Sequence, residues 1–342
     1  MKLYSYSIPG LLILFISIFT LVRTQEEVKI TIEPSSKLSE LYQQLGDAYP
    51  DHHLTSYNDE MVKRGKDLIH IGKTKAPDGR KSVSISKFYT CTSCHNVERE
   101  DPDLKVVDPE ARLTYAKTND LPYLQGSTFW GVVNRETWYN DDYVLKYGAL
   151  VEKAEKSLKE SIQLCAQVCA QGRKLEAWEM ESILAYFWSL EMTVEDLNLS
   201  DDQLKKLNQE IKEGKKEEVK SFLKSQYLLK SPATFADMPK SKKEGYPLKG
   251  RPENGKVIYQ LGCQHCHHPY GESDLVLDDS KYTLKWLKKN ITADTHESLY
   301  EIIRKGTYSE MGHKEYMPLY TAEKMSDQQI EDLRAYIEKG AN

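Results

Sequence analysis

Two pentapeptides constrain this chain more than any other feature: CTSCH (Cys91, Cys94, His95) and CQHCH (Cys263, Cys266, His267). Each sets two thiols three residues apart and follows them at once with an imidazole. On a first helical turn, both sulfurs face one edge of a flat macrocycle and the histidine reaches the central metal from the proximal side. The spacing therefore predicts two covalently bound haem c groups, with His95 and His267 as iron ligands. A single pair of thiols could equally be a redox dithiol or half of a zinc site. Two pairs, each closed by histidine, favour haem.

The rest of the chain bounds the setting. Its 342 residues are enough for two domains with cores of their own. Its net charge of -5 lacks the concentrated basic surface that nucleic acid demands, so no nucleic-acid partner is expected. Six cysteines, four of them inside the two motifs, do not make a disulfide scaffold. Lys2 and the apolar run `IPGLLILFISIFTLV` read as an export signal, with a retained membrane anchor as the alternative. Either form places the remainder outside the cytoplasm, in the periplasm or anchored facing it.

Along the chain, helical periodicity divides the sequence. Residues 1–23 are the signal peptide or anchor, and 24–55 a polar tether with a short apolar piece near Leu38–Leu45. Residues 56–195 form a first domain, opening with a helix over 57–72 and closing with `LEAWEMESILAYFWSLEM`. Its long middle, to about Gly148, reads as irregular. Residues 196–245 interleave Lys and Glu with leucines at three- and four-residue spacing, as expected of solvated helices in a linker. Residues 246–342 form a second domain, in which `ENGKVIYQLG` runs into CQHCH. Its last helix starts at Ser326, with Gln329 completing a cap. Helix, motif, loops and terminal helix recur in that order, so the fold class is all-α, a loose duplication with an enlarged first half.

An iron held by histidine needs a second axial ligand. Met317 stands before Pro318 and upstream of the last helix; proline stiffens that loop, and a thioether raises the potential. Met311, His313 and Met325 are its rivals. The first half has no methionine at the matching place. It offers Cys165 and Cys169, four residues apart and thus on one helix face. The plain reading is a buried thiol pair or a disulfide; the sharper one is a thiolate on iron, lowering that haem's potential. His70, Met180 and Met192 are the other candidates.

CxxCH near the start and Met-Pro before `LRAYI` resemble class I cytochrome c, which implies two such domains here. The run `SLKESIQLCAQVCAQGRKLEAWEMESILAYFWSL` is similar to the dihaem thiosulfate dehydrogenases and, more distantly, to SoxA-like cytochromes. That resemblance implies Cys165 as the ligand of a catalytic haem, with Gly172, Glu179, Met180 and Tyr186 on matching positions. Departures are plain: Val168 and Cys169 stand for arginine and serine, Gln171 for asparagine, and the arginine before the cysteine is lost near Glu160 and Ser161. A sulfur dianion wants guanidinium partners, for which Arg112, Arg135, Arg173 and Lys174 are the substitutes.

The expected function is electron transfer from a donor through haem 1 and haem 2 to an external acceptor, another cytochrome or a membrane oxidase or reductase complex. A thiosulfate dehydrogenase-like oxidation of a small sulfur anion at a Cys165-ligated haem is the enzymatic alternative. A fixed redox subunit of a membrane complex is the third. A dihaem peroxidase is disfavoured, since no assisting acid-base groups stand out.

Overall fold

The computed structural model describes residues 30–293, 295, 297–307 and 316–342. The apolar segment 1–23, the start of the expected tether, and the rival ligands Met311 and His313 lie outside the described residues. Within them the regular structure is helical, with isolated bridges and no sheet. No described helix is long and apolar enough to cross a membrane.

In chain order the helices are α1 (Leu38–Gln44), α2 (Asp59–Ile71), α3 (Pro109–Thr118), α4 (Asp141–Tyr147), α5 (Ala149–Glu155), α6 (Leu158–Leu164) and α7 (Ala177–Ser189). There follow α8 (Asp201–Lys212), α9 (Lys216–Lys224), α10 (Pro252–Ile258), α11 (Gln264–Cys266), α12 (Lys281–Asn290), α13 (Leu299–Lys305) and α14 (Asp327–Ala341). Local chemistry sets their ends. Asn58 caps α2 through a bond from the Met61 amide, and Gly72 stops it in the left-handed region. Ser326 and Gln329 form the reciprocal cap of α14. A π-helical turn, Cys165–Cys169, continues α6, and another, Tyr259–Cys263, joins α10 to α11.

Three apolar cores result. One joins α2 and α7 through Leu68, Ile69, Ile183, Leu184 and Phe187. A second gathers α10, α12, α13 and α14 through Ile258, Leu284, Ile303, Leu333 and Ile337. The third unites α1, α8 and α9 through Leu38, Leu41, Leu207, Val219 and Leu223, with Met192 and Leu197. Residues 30–45 and 201–227, expected as tether and linker, are thus the two sides of one packed body. Their leucine faces bury each other, and the Lys/Glu faces stay outward. Also, the middle expected to be irregular holds α3, whose Leu113 and Ala116 enter the core of the C-terminal half.

The two halves repeat one crossing. In the first, a Cβ placed on Gly65 of α2 would meet the Ser182 carbonyl oxygen of α7 at 1.9 Å and Tyr186 Cβ at 2.7 Å. In the second, a Cβ on Gly255 of α10 would meet the Asp332 carbonyl oxygen of α14 at 1.9 Å and Tyr336 Cβ at 2.8 Å. Each opening helix presses its glycine on a closing helix, between two residues four apart of which the second is tyrosine. Neither backbone could approach so closely with any larger residue.

Candidate functional site

Both CxxCH motifs hold their histidines in the same way. His95 Nδ1 bonds the Ser127 carbonyl at 2.6 Å, and His267 Nδ1 bonds the Leu275 carbonyl at 2.9 Å. A carbonyl can only accept, so Nδ1 carries the proton and Nε2 presents its lone pair. Burial lowers the pKa of both rings against the raising effect of those carbonyls, so each is neutral near pH 7, the form a metal needs. Phe129 stacks on His95 at 4.5 Å and packs on Phe187 of α7, which ties the ring to the first core. The loop after His267 closes on itself, with the Leu277 amide donating to the His267 carbonyl at 2.7 Å. The accepting carbonyls escaped the sequence reading because a backbone carbonyl has no residue signature.

The motifs also touch each other. Cys266 Sγ donates to the Ser93 carbonyl at 3.8 Å, and the His265 ring lies against the Thr92 backbone. Around this contact the halves are laced together. The Tyr123 amide donates to the Leu261 carbonyl at 2.9 Å, and the Tyr320 hydroxyl donates to the Tyr123 carbonyl at 3.2 Å. Behind the first motif lies a buried charge cluster. Glu100 accepts from Arg112 at 3.1 Å and from Lys324 of the C-terminal half at 2.6 Å. Asn96, the residue after His95, donates to the same carboxylate at 3.1 Å.

The axial candidates fall in different places. Met317 is half-buried against the C-terminal core, and its backbone is tied to the end of α13: its amide donates to Thr307 Oγ1 at 2.7 Å, and its carbonyl accepts from the Thr307 amide at 2.9 Å. Met325 is fully buried as packing in that core, and Met192 in the core of α1, α8 and α9. His70 Nε2 is bonded to the Tyr186 hydroxyl at 3.2 Å, and Met180 packs on the first core.

Cys165 and Cys169 share the π-helical turn after α6, where they influence one another. Their mutual interaction raises the Cys165 thiol well above its ordinary value and lowers Cys169, and burial pushes both upward. Tyr139 also interacts with the Cys169 sulfur and lowers it further. Cys91 and Cys94 act electrostatically on Cys165, which places the pair beside the first motif. The Tyr316 hydroxyl donates to the Cys169 carbonyl at 2.9 Å, so the residue before Met317 reaches across to the first half. Tyr139 and Tyr316 were not foreseen, since no spacing in the sequence sets them apart from the other tyrosines.

Two cations expected to receive a sulfur dianion are already engaged. Arg173 grips Glu179 in a two-pronged pair at 2.6 and 2.7 Å, and Arg112 is spent on Glu100, the Leu124 carbonyl and the Lys324 carbonyl. Arg135 lines a cavity with Arg99, Trp130, Met192 and Lys324.

The donor chemistry fits a covalently attached porphyrin. Each motif offers two thiols and a neutral, pre-oriented imidazole. No group of three or more His, Cys, Asp or Glu side chains converges as a bare metal site among the described residues. The Cytochrome c family model matches residues 252–341. Neither the curated proteins nor the solved structures contain a match to this chain. The C-terminal part of the chain, near residues 252–341, is a class I c-type cytochrome domain, all-α and of electron-transfer character.

Proposed function

We propose that the chain binds two haem c groups and relays electrons outside the cytoplasm between a donor and an external acceptor, another cytochrome or a membrane oxidase or reductase complex. The observation that carries this reading is the proximity of the two motifs: Cys266 Sγ lies 3.8 Å from the Ser93 carbonyl oxygen. That thiol's proton is given up once the sulfur forms a thioether, but backbone contacts such as the Tyr123 amide on the Leu261 carbonyl at 2.9 Å keep the motifs side by side, which makes a short relay within one chain. The repeated glycine crossing of α2 on α7 and of α10 on α14 supports a duplicated haem-binding plan.

In this reading Cys91 and Cys94 hold the first group and Cys263 and Cys266 the second, each by thioether bonds, with His95 and His267 on the iron. Haem supplies reversible one-electron chemistry. The chain's own residues set its properties. The carbonyls of Ser127 and Leu275 orient the imidazoles, Met317 offers a thioether to the second iron, and Cys165 or Cys169 offers a sulfur to the first. Thiolate and thioether pull potentials in opposite directions, which gives the relay a sense, from the first site to the second.

Haem count tests the core of the proposal. The exported protein is expected to give two haems per chain in a pyridine haemochrome assay, and one in each of the Cys91→Ala/Cys94→Ala and Cys263→Ala/Cys266→Ala variants. One haem in the parent protein, unaltered by Cys91→Ala/Cys94→Ala, sinks the two-haem reading. Replacing Met317 by alanine is expected to leave the haem count alone and to lower the midpoint potential of one haem only, as read by spectropotentiometry. An unchanged potential would remove Met317 from the ligand set.

The enzymatic alternative rests on Cys165 beside the first motif. It is less favoured, because Arg112 and Arg173 are both paired within the protein. Rapid reduction of the oxidised protein by thiosulfate, lost in Cys165→Ala, is the result that would restore it.

A further inference from the structure

Met317 is fastened from two sides, and only one of them belongs to its own half of the chain. On that side Thr307, just past α13, accepts from the Met317 amide at 2.7 Å and donates to its carbonyl at 2.9 Å. The Tyr320 amide donates to the Ile303 carbonyl at 2.8 Å. A Cβ on Gly306 would meet the Met317 carbonyl oxygen at 2.5 Å, so the loop is pressed on the end of α13. On the other side stands Tyr316, and the first half takes each of its polar groups. Its backbone carbonyl accepts from the Tyr89 hydroxyl at 2.7 Å, and its amide donates to the oxygen of that same hydroxyl. Its own hydroxyl donates to the Cys169 carbonyl at 2.9 Å. The rings of Tyr89 and Tyr316 meet edge to face at 5.8 Å.

The places Tyr316 touches belong to the first site. Tyr89 stands two residues before Cys91, and Cys169 closes the π-helical turn it shares with Cys165. Carbonyls in the last turn of a helix have no partner within it. The Cys169 carbonyl is one of these, and Tyr316 supplies its donor. The contact uses the backbone of Cys169 and not its sulfur, so it stands whichever of the two thiols meets the iron. One tyrosine thus joins the lead into the first motif, the sulfur pair beside that motif, and the residue next to it in sequence, Met317.

We infer that Tyr316 is a positioning residue for the second site: gripped by Tyr89 and by the Cys169 carbonyl, it makes the first half hold Met317 in place. This inference rests on the proposed relay and on Met317 as the thioether of the second iron. The second site then depends on contact between the halves, and a shift of the turn Cys165–Cys169 reaches Met317 through a single side chain. A tyrosine that merely glued the halves would act on stability alone. A positioning tyrosine acts on how firmly the thioether is held.

The test uses the full, haem-loaded chain. Tyr316→Phe and Tyr89→Phe each delete one hydroxyl and keep the ring. Both are expected to retain two haems and to lower the same midpoint potential that Met317→Ala lowers, by a smaller amount. Free imidazole competes with a thioether for ferric iron, so its affinity reports how firmly Met317 is held. Each variant is expected to bind imidazole at that haem about threefold to tenfold more tightly in an optical titration, the range that one lost hydrogen bond gives. Tyr300→Phe is the control: it removes a hydroxyl bonded to Glu331 at 2.7 Å, at the opposite end of α13, and is expected to leave both readouts unchanged. Hydroxyl variants that bind imidazole as the parent does would overturn the assignment. So would a Tyr300→Phe protein loosened to the same extent, since stability alone would then be at work, or a potential shift confined to the other haem. If Met317→Ala moves neither potential, the ligand reading itself fails and the role of Tyr316 with it. If Met317→Ala moves one potential and the hydroxyl variants move none, only the role of Tyr316 fails.

Discussion

Replacing Gly255 by valine is expected to unfold the C-terminal half of the chain. A Cβ at that position meets the Asp332 carbonyl oxygen at 1.9 Å and its carbon at 2.5 Å. Both are backbone atoms inside α14, so no side chain can swing away. The helix α10 must instead lift off, and the losses then multiply. Arg251 grips Asp332 through its Nε and Nη2 at 2.6 to 3.2 Å, and that pair opens. Ile258, Leu333 and Ile337, all buried, lose their contacts across the crossing. Overpacking in a well-filled core costs about 1–3 kcal/mol, and contact with an immovable backbone lies at the upper end or beyond it. That is a large share of the stability of a domain. Gly65→Val is expected to do the same to the first half, where the blocking atom is the Ser182 carbonyl oxygen at 1.9 Å. Gly340→Ala is the control, since its nearest neighbour is the movable end of the Leu284 side chain at 2.4 Å. Thermal unfolding followed by circular dichroism separates the cases. A loss of less than about 1 kcal/mol in Gly255→Val, no more than an ordinary surface substitution, would show that the crossing tolerates bulk.

How much of this was readable beforehand differs by level. The helices with local signals were legible: α14 announces itself through Ser326 and Gln329, and α2 through its apolar spacing and Gly72. The two CxxCH motifs stand out in the sequence because they set residue types at fixed spacing. Cys165 and Cys169 were legible as a pair on one face, though not the π-helical turn that holds them. Partnership at long range was not. An amphipathic helix such as α8 has the same pattern whether its leucines meet a neighbour or a partner protein, and its neighbour here, α1, lies more than 150 residues upstream. The role of α3 was hidden for a related reason. Its buried Arg112, Leu113 and Ala116 share one face, but the arginine breaks the apolar pattern there, and Arg112 is buried only because Glu100 and Lys324 are there to meet it. Charged residues read as exposed unless a partner is known.

That cluster is the place where the halves are most exposed to a single charge change. Glu100 and Arg112 are each 2% exposed, and one carboxylate serves two cations, Arg112 and Lys324. Glu100→Ala is expected to destabilise the protein by about 3–5 kcal/mol, because removing one member of a buried ion cluster strands the others. Lys324 can soften the loss by releasing its proton, since burial already lowers its pKa; Arg112 cannot. Replacing all three by apolar residues of similar size is expected to cost far less than Glu100→Ala, since no charge is then left alone. Acid gives an independent reading. Burial alone would raise the Glu100 pKa, but Arg112 and Lys324 outweigh it and hold the carboxyl well below the usual range. A carboxylate depressed in the folded state stabilises fully above its unfolded pKa of about 4.3, and the contribution fades as pH falls toward the folded value. The stability difference between the parent protein and Glu100→Gln is therefore expected to be constant from pH 7 to about 5 and to shrink below pH 4, as measured by denaturant unfolding. A difference that instead grew on acidification would mean that Glu100 is protonated in the folded protein, and that the lysine and arginine find their counter-charge elsewhere.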